Sequence, residues 1–231
     1  MNTSSDFRSD LFRLIRASGI LLLAALAACA VFFAAMWEVR HYRDVRENGL
    51  IEFVQFALLT LSSATFAIRS ARDEAARKPL ALLSLIALAM CVRELDGVFD
   101  TVLFHGSWAL LDTFVLLAYL AVFFSDVRRT VSQLVDFVFS PTFVLFAAGF
   151  ILAVVVSRLF GMKQNWYAFF DFVPGDGTEP VNPITGTTVP RCVKNAAEEC
   201  FELASYLVIL AAAVLPPLLR GRRCGFGGDV V

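Results

Sequence analysis

Histidine is nearly absent from this chain of 231 residues: there are two, His41 and His105. A metal centre built mainly of imidazoles is therefore excluded. Charge is also scarce, at 18% of residues against about 25% in soluble domains. The formal net charge is −1, which leaves no basic footprint for nucleic acid. The sequence contains no H-E-x-x-H, no G-x-S-x-G, no phosphate-binding P-loop and no G-x-G-x-x-G, so no familiar enzyme signature is present. It has no repeat at a fixed period and no long polar module, which predicts a single polytopic domain over residues 1–231. Cysteine gives little. Cys29 and Cys91 lie in apolar runs, Cys224 is in the tail, and Cys192 and Cys200 are spaced so that a bridge is permitted but not required.

What the chain does have is apolar length. Hydrophobic residues make up 58%, with 23 phenylalanines. Runs of about 20 apolar residues are long enough to cross a bilayer. Six are found: Ala17 to Trp37, Leu50 to Ile68, Leu80 to Phe99, Trp108 to Ser125, Phe139 to Phe160 and Ala196 to Leu219. The expected fold is an all-α integral membrane protein, a bundle of six transmembrane helices. The first run has an arginine-containing lead, but its apolar core is too long for a signal peptide. Phe32, Phe33 and Met36 stand where a cleavage site needs small residues, so it reads as a retained span.

Lys and Arg in the flanks set the expected orientation. Arg8, Arg13 and Arg16 precede the first span. Arg69, Arg72, Arg77 and Lys78 follow the second, Arg128 and Arg129 the fourth, and Arg220, Arg222 and Arg223 the sixth. These flanks fall on one side, which places both termini in the cytoplasm of a bacterial cytoplasmic membrane. Arg40, His41, Arg43 and Arg46 oppose the trend and are outvoted. The outer loop 161–195 carries an aromatic segment, Trp166 to Phe172, suited to the interface. It also has a Gly/Pro-rich stretch from Pro174 to Pro190. The tail 220–231 is expected to be disordered.

Glu52, Arg93, Glu94, Asp96, Asp100, Asp112, Arg158, Glu198, Glu199 and Glu202 all lie toward the outer ends of these spans. Charge in a bilayer is costly unless paired or wetted, so such residues are candidate functional groups. At 100° per residue, Asn48, Glu52, Gln55 and Ser63 share a face, as do Arg93, Asp96 and Asp100, with Glu94 to the side. Trp108, Asp112 and Tyr119 form a third stripe, and Glu198, Glu199, Glu202 and Tyr206 a fourth. Packed together, these stripes predict an outward-facing acidic pocket.

Two readings of that pocket follow. In the structural one, Arg93 and Arg158 neutralise Glu52, Asp96 or Glu202 in ion pairs that fix helix register. In the functional one, carboxylates outnumber deep arginines, so the excess is protonated, hydrated or bound to a cation. Glu198, Glu199 and Glu202, with Asp96 and Asp100, are then candidate ligands for a divalent cation. Asp96, Glu202 and His105 are candidate catalytic groups. Arg93, Arg158, Glu52 and Asp112 are candidate substrate-binding groups. First-turn acidic residues also suit the helix dipole alone, which accounts for Glu198 and Glu199 but less well for the deeper Glu202. His105 is equally well read as a solvated loop residue.

The expected function is a metal-assisted hydrolase or transferase acting on a lipid or lipid-linked substrate. The alternative is a non-catalytic subunit or sensor that binds a small ligand or a partner helix. A transporter fits less well, because the inner halves of the spans are almost without polar groups. The expected partners are membrane lipids and a small-molecule or lipid ligand.

Overall fold

In a computed structural model, residues 49–170 and 189–214 are described, together with scattered helical positions between 15 and 37. The described residues are almost entirely helical and include no strand. The labelled helices are α1 (Leu50–Arg72), α2 (Arg77–Glu94), α3 (Asp96–Val102), α4 (Ser107–Phe124), α5 (Val127–Val138), α6 (Pro141–Phe160), α7 (Lys163–Phe170) and α8 (Val189–Val214). Three of them, α1, α4 and α6, are long and apolar enough to cross a membrane. Helices α2 and α8 are also long, but they carry four and five charged residues. The first expected span is described only in part. His41 with its neighbouring arginines, the Gly/Pro-rich stretch, the Pro216-Pro217 end of the sixth span and the tail lie outside the described residues.

Helices α1 and α8 form the centre of the bundle. Helix α1 packs on α2 and α8, α6 packs on α8, and α4 on α2. Directions follow from paired residues. Ser63 meets Ser84 and Ser70 meets Arg77, so α1 and α2 are antiparallel. Gln55 meets Glu199 and Arg69 meets Ala212, so α1 and α8 are parallel. Ser157 meets Glu202, so α6 runs against α8.

Local chemistry sets the helix ends. Ser140 caps α6 by accepting from Phe143 N–H at 3.2 Å, with Pro141 in the first turn. Asp126 caps α5 through Arg129 N–H at 3.0 Å. Gly106 precedes α4 at φ 85°, a left-handed conformation that a Cβ disfavours. The Arg69 guanidinium donates to the carbonyls of Ala212 and Ala213 at 3.1 and 2.9 Å. It thereby satisfies acceptors that the end of α8 leaves open, at the end where the helix dipole favours a cation.

The core is a heptad-like seam. On α2 the buried positions Leu80, Leu83, Ala87 and Cys91 face α1 and α8, where Leu59, Phe66, Tyr206, Ile209 and Ala213 meet them. Phe66 packs edge-on to Phe146 of α6, with ring centroids 5.7 Å apart. Hydroxyls pin the α1–α2 seam: Ser63 Oγ donates to Ser84 O, and Ser84 Oγ to Ser63 O, each at 2.9 Å. Small residues and interhelical hydroxyls are the usual means of helix association where apolar surround removes the hydrophobic driving force.

Helix α6 approaches α8 through a row of small residues, Gly149, Ala153, Ser157 and Gly161. A Cβ on Gly149 would lie 2.9 Å from Ser205 O, and one on Gly161 would lie 2.7 Å from Glu198 Cδ. Residues four apart drift by about 40° per step on a regular α-helix, so Gly161 would end about 120° from Gly149. The π turn Leu152–Val156 takes up about one extra residue and returns the row to a single face.

Three helix boundaries differ from expectation. The third span does not run unbroken to Phe99: it stops at Glu94, turns at Leu95 and restarts as α3. Residues between the fourth and fifth spans, expected as a loop, form the amphipathic helix α5. It docks through Thr130 and Phe137 and leaves Val127, Val131 and Val135 exposed. The last helix begins at Val189, about two turns before Ala196.

Candidate functional site

At one end of the bundle α1, α2, α6 and α8 bring together Gln55, Glu94, Ser157, Arg158, Glu198, Glu199, Glu202 and Tyr206. Each is placed by its helix seam. Glu94 extends the buried row Leu80–Leu83–Ala87–Cys91 by one more turn. Gln55 follows Ile51 and precedes Leu59 in the buried row of α1. Tyr206 and Glu202 lie one and two turns above Ile209 in the row of α8.

The cluster has two halves. In the first, cations hold the carboxylates. Arg158 bonds Glu198 Oε1 at 2.8 Å and lies 3.5 Å from Glu202 Oε1, and Lys194 Nζ lies 3.0 Å from Glu198 Oε2. The Ser157 hydroxyl is 3.0 Å from Glu202 Oε1 and 2.6 Å from Ala153 O, so its single proton is shared between two acceptors. Glu202 is 6% exposed, and it could not be held there ionised without these partners.

In the second half, the donors are neutral. Tyr206 donates its hydroxyl proton to Glu94 Oε1 at 2.7 Å. Gln55 Nε2 donates to Glu199 Oε2 at 2.9 Å and to Glu199 O at 3.3 Å. Neither Glu94 nor Glu199 has a cationic partner among the described residues. The two are close enough to interact electrostatically with each other and with Glu52 and Glu202. The Gln55 side chain is fully buried, and its Oε1 has no donor among the described residues. An orphaned acceptor of this kind costs about 1–3 kcal/mol unless something reaches it.

The structure redistributes the other predicted residues. Glu52, half-buried on α1, borders the cluster through its interaction with Glu94 and Glu199. Arg93 does not join it: about 100° round α2 from Glu94, it is exposed, and it makes no ion pair with a carboxylate among the described residues. Asp96 is exposed beyond the break at Leu95, although it remains within electrostatic reach of Glu94. The break splits the Arg93–Asp96–Asp100 stripe that a continuous helix would have aligned.

Asp100 serves the turn, accepting from Gly106 N–H at 2.8 Å and lying 2.7 Å from His105 Nδ1. The His105 side chain is 96% exposed, so Asp96, Glu202 and His105 do not form one catalytic group. The expected metal set does not assemble either. Among the described residues no three His, Cys, Asp or Glu side chains are arranged to hold a metal ion. The reason is visible at Glu198, whose two oxygens are taken by Arg158 and Lys194. Cys200 is a free thiol; the side chain of Cys192 lies outside the described residues.

Asp112 is elsewhere. It lines a cavity of about 580 Å³ between α2 and α4, with Trp108, Tyr119, Ala89, Met90 and Phe150 among its walls. The Trp108–Asp112–Tyr119 stripe is therefore real, but it faces a separate and mainly apolar space.

Sequence reasoning counts Glu94 among the candidate groups but gives it no role, although the 3-4-4-3 spacing from Leu80 through Cys91 to Glu94 marks its position as inward. Ser157 and Lys194, which hold Glu202 and Glu198, are not singled out by it. Gly161, against which the Glu198 carboxyl packs, gave no signal except its place in the small-residue row.

These features define a helical protein with, among the described residues, three membrane-length helices and a carboxyl-rich cluster at one end of its bundle. Comparison with known protein families, with characterised proteins and with solved structures finds no match.

Proposed function

We propose that this is a six-span membrane protein, with both termini cytoplasmic, that binds a small primary amine in the carboxyl cluster at its outer end. It acts as a non-catalytic receptor or subunit. The observation that carries this reading is the second half of the cluster. Among the described residues Glu94 and Glu199 are bonded only to neutral donors, and the buried Gln55 Oε1 has none. An alkylammonium has three N–H donors and no acceptor, and it suits two carboxylates and one amide oxygen. The metal-assisted hydrolase or transferase reading centres on Glu202 and Asp96, with Glu198 or Glu199 as a further ligand and His105 beside them. Glu198 and His105 are the two that speak least for it: one is already held by two cations, and the other points away. Transport is disfavoured by the apolar plug formed by Leu59, Phe66, Leu80, Leu83 and Phe146 beyond the cluster.

The test is a thermal unfolding series on protein in lipid nanodiscs with methylamine, putrescine or tetramethylammonium. A ligand that binds only the folded state at about 100 times its Kd stabilises by about 2.7 kcal/mol. Methylamine or putrescine should raise Tm. Tetramethylammonium, which has no N–H, should not. The double variant Glu94→Gln with Glu199→Gln should lose the effect. No shift with either primary amine, or an equal shift with tetramethylammonium, refutes the reading.

A further inference from the structure

The cavity beside Asp112 plays no part in the amine site, and its composition is unusual. Its walls are Leu85, Ile86, Ala89 and Met90 of α2, a face of α4 and Phe150 of α6. Amid that apolar lining stands one carboxyl group, and Asp112 Oδ1 is buried without a hydrogen-bond partner among the described residues. An apolar cavity with a single unmet acceptor specifies its occupant: mostly hydrocarbon, with one donor at a fixed point. At about 580 Å³ it is in the range of small-molecule sites.

Depth adds a second constraint. Trp108 to Tyr119 spans about 16 Å along α4, with Asp112 about 6 Å in from Trp108. On α2, Arg93 follows Ala89 by four residues and Met90 by three, so it falls on the face that lines the cavity, one turn nearer the end of the bundle. It is exposed there. The order from the end of the bundle inward is therefore guanidinium, carboxylate, apolar channel. Arginine matches a phosphate. The carboxylate takes a hydroxyl just below it, and the channel takes a hydrocarbon chain.

We propose that this cavity binds a lysophospholipid, a phospholipid with one acyl chain and a free glycerol hydroxyl. The phosphate pairs with Arg93, the free hydroxyl donates to Asp112, and the chain lies along Met90, Leu116 and Tyr119. A diacyl phospholipid has an ester where that hydroxyl would be, and it carries a second chain. A long-chain amine would satisfy Asp112 but would set a second positive charge near Arg93. The proposal rests on the chain lying in a membrane and is independent of the amine site.

Native mass spectrometry of the full chain, released from nanodiscs doped with equal amounts of lysophosphatidylcholine and diacyl phosphatidylcholine, tests it. One lysophosphatidylcholine per chain should be retained, at least tenfold in preference to the diacyl lipid. Asp112→Leu and Arg93→Gln should each lower retention at least tenfold. Ala89→Phe, which fills the cavity and leaves both polar groups in place, should do the same. Monoacylglycerol, which lacks the phosphate, and dodecylamine should each compete at least tenfold less well. Glu94→Gln should leave retention unchanged, which separates this site from the amine site. Equal retention of both phospholipids overturns the proposal. So does retention that survives Asp112→Leu or Ala89→Phe in a variant whose helicity by circular dichroism is intact, and so does equal competition by monoacylglycerol or dodecylamine.

Discussion

The contact at Gly149 links the stability of the bundle to the geometry of the site. A Cβ there would stand 2.8 Å from Ile209 Cγ1, 2.9 Å from Ser205 O and 3.2 Å from Ile209 N. The first neighbour can rotate away. The other two are backbone, and they can be relieved only by moving α6 from α8. Carbon contacts settle at about 3.5–4.0 Å, so the helices must part by about 0.5 Å or more, a gap that forfeits a quarter or more of the dispersion energy of each contact. Overpacking of this kind costs about 1–3 kcal/mol. The gain in helix propensity from Gly to Ala returns about 0.5–1 kcal/mol. Gly149→Ala should therefore destabilise by about 1–2 kcal/mol. At about 2–4 °C per kcal/mol for a chain of this size, Tm falls by about 2–8 °C. Gly149→Leu should cost more. Two turns along α6, Ser157 and Arg158 would be drawn away from Glu202, which they approach at 3.0 and 3.5 Å, so amine binding should weaken with stability. The control is Gly19→Ala, because a Cβ at Gly19 meets nothing within 4 Å. Thermal melts in one detergent compare the variants. If Gly149→Ala melts as high as Gly19→Ala, the close approach of α6 and α8 does not govern packing in this bundle, and the argument fails.

Two other substitutions test the frame. Arg69→Ala removes donors from the carbonyls of Ala212 and Ala213, so it should lower stability by about 1–3 kcal/mol, and Arg69→Lys should recover only part of this, which guanidine-free thermal melts can read. In a cysteine-free background, His105→Cys should react with an impermeant thiol reagent on intact cells, while Ala75→Cys should react only after permeabilisation, both positions being exposed. The reverse pattern overturns the orientation and the outward placement of both sites.

Composition and periodicity alone determined the helical class of the molecule. Runs near 20 apolar residues admit little else, and three of the expected spans coincide with helices long and apolar enough to cross a membrane. The i, i+4 relation of Glu198 to Glu202 and the inward position of Gln55 were also legible, because both follow from the helical repeat. The structure alone decided which charged groups meet. A single non-helical turn at Leu95 detached Asp96 and Asp100 from Arg93, and periodicity cannot foresee a break that falls on a leucine inside an expected span. The choice of Glu94 over Arg93 depends on which face of α2 meets α8, and that is set by packing with helices distant in sequence. The π turn in α6 is likewise a tertiary decision. It exists where Gly149, Ser157 and Gly161 must all face one neighbour, and only that neighbour makes the extra residue in the turn worthwhile. Asp112 shows the same division: its stripe with Trp108 and Tyr119 is written in the sequence, but the cavity it faces is made by α2 and Phe150 of α6.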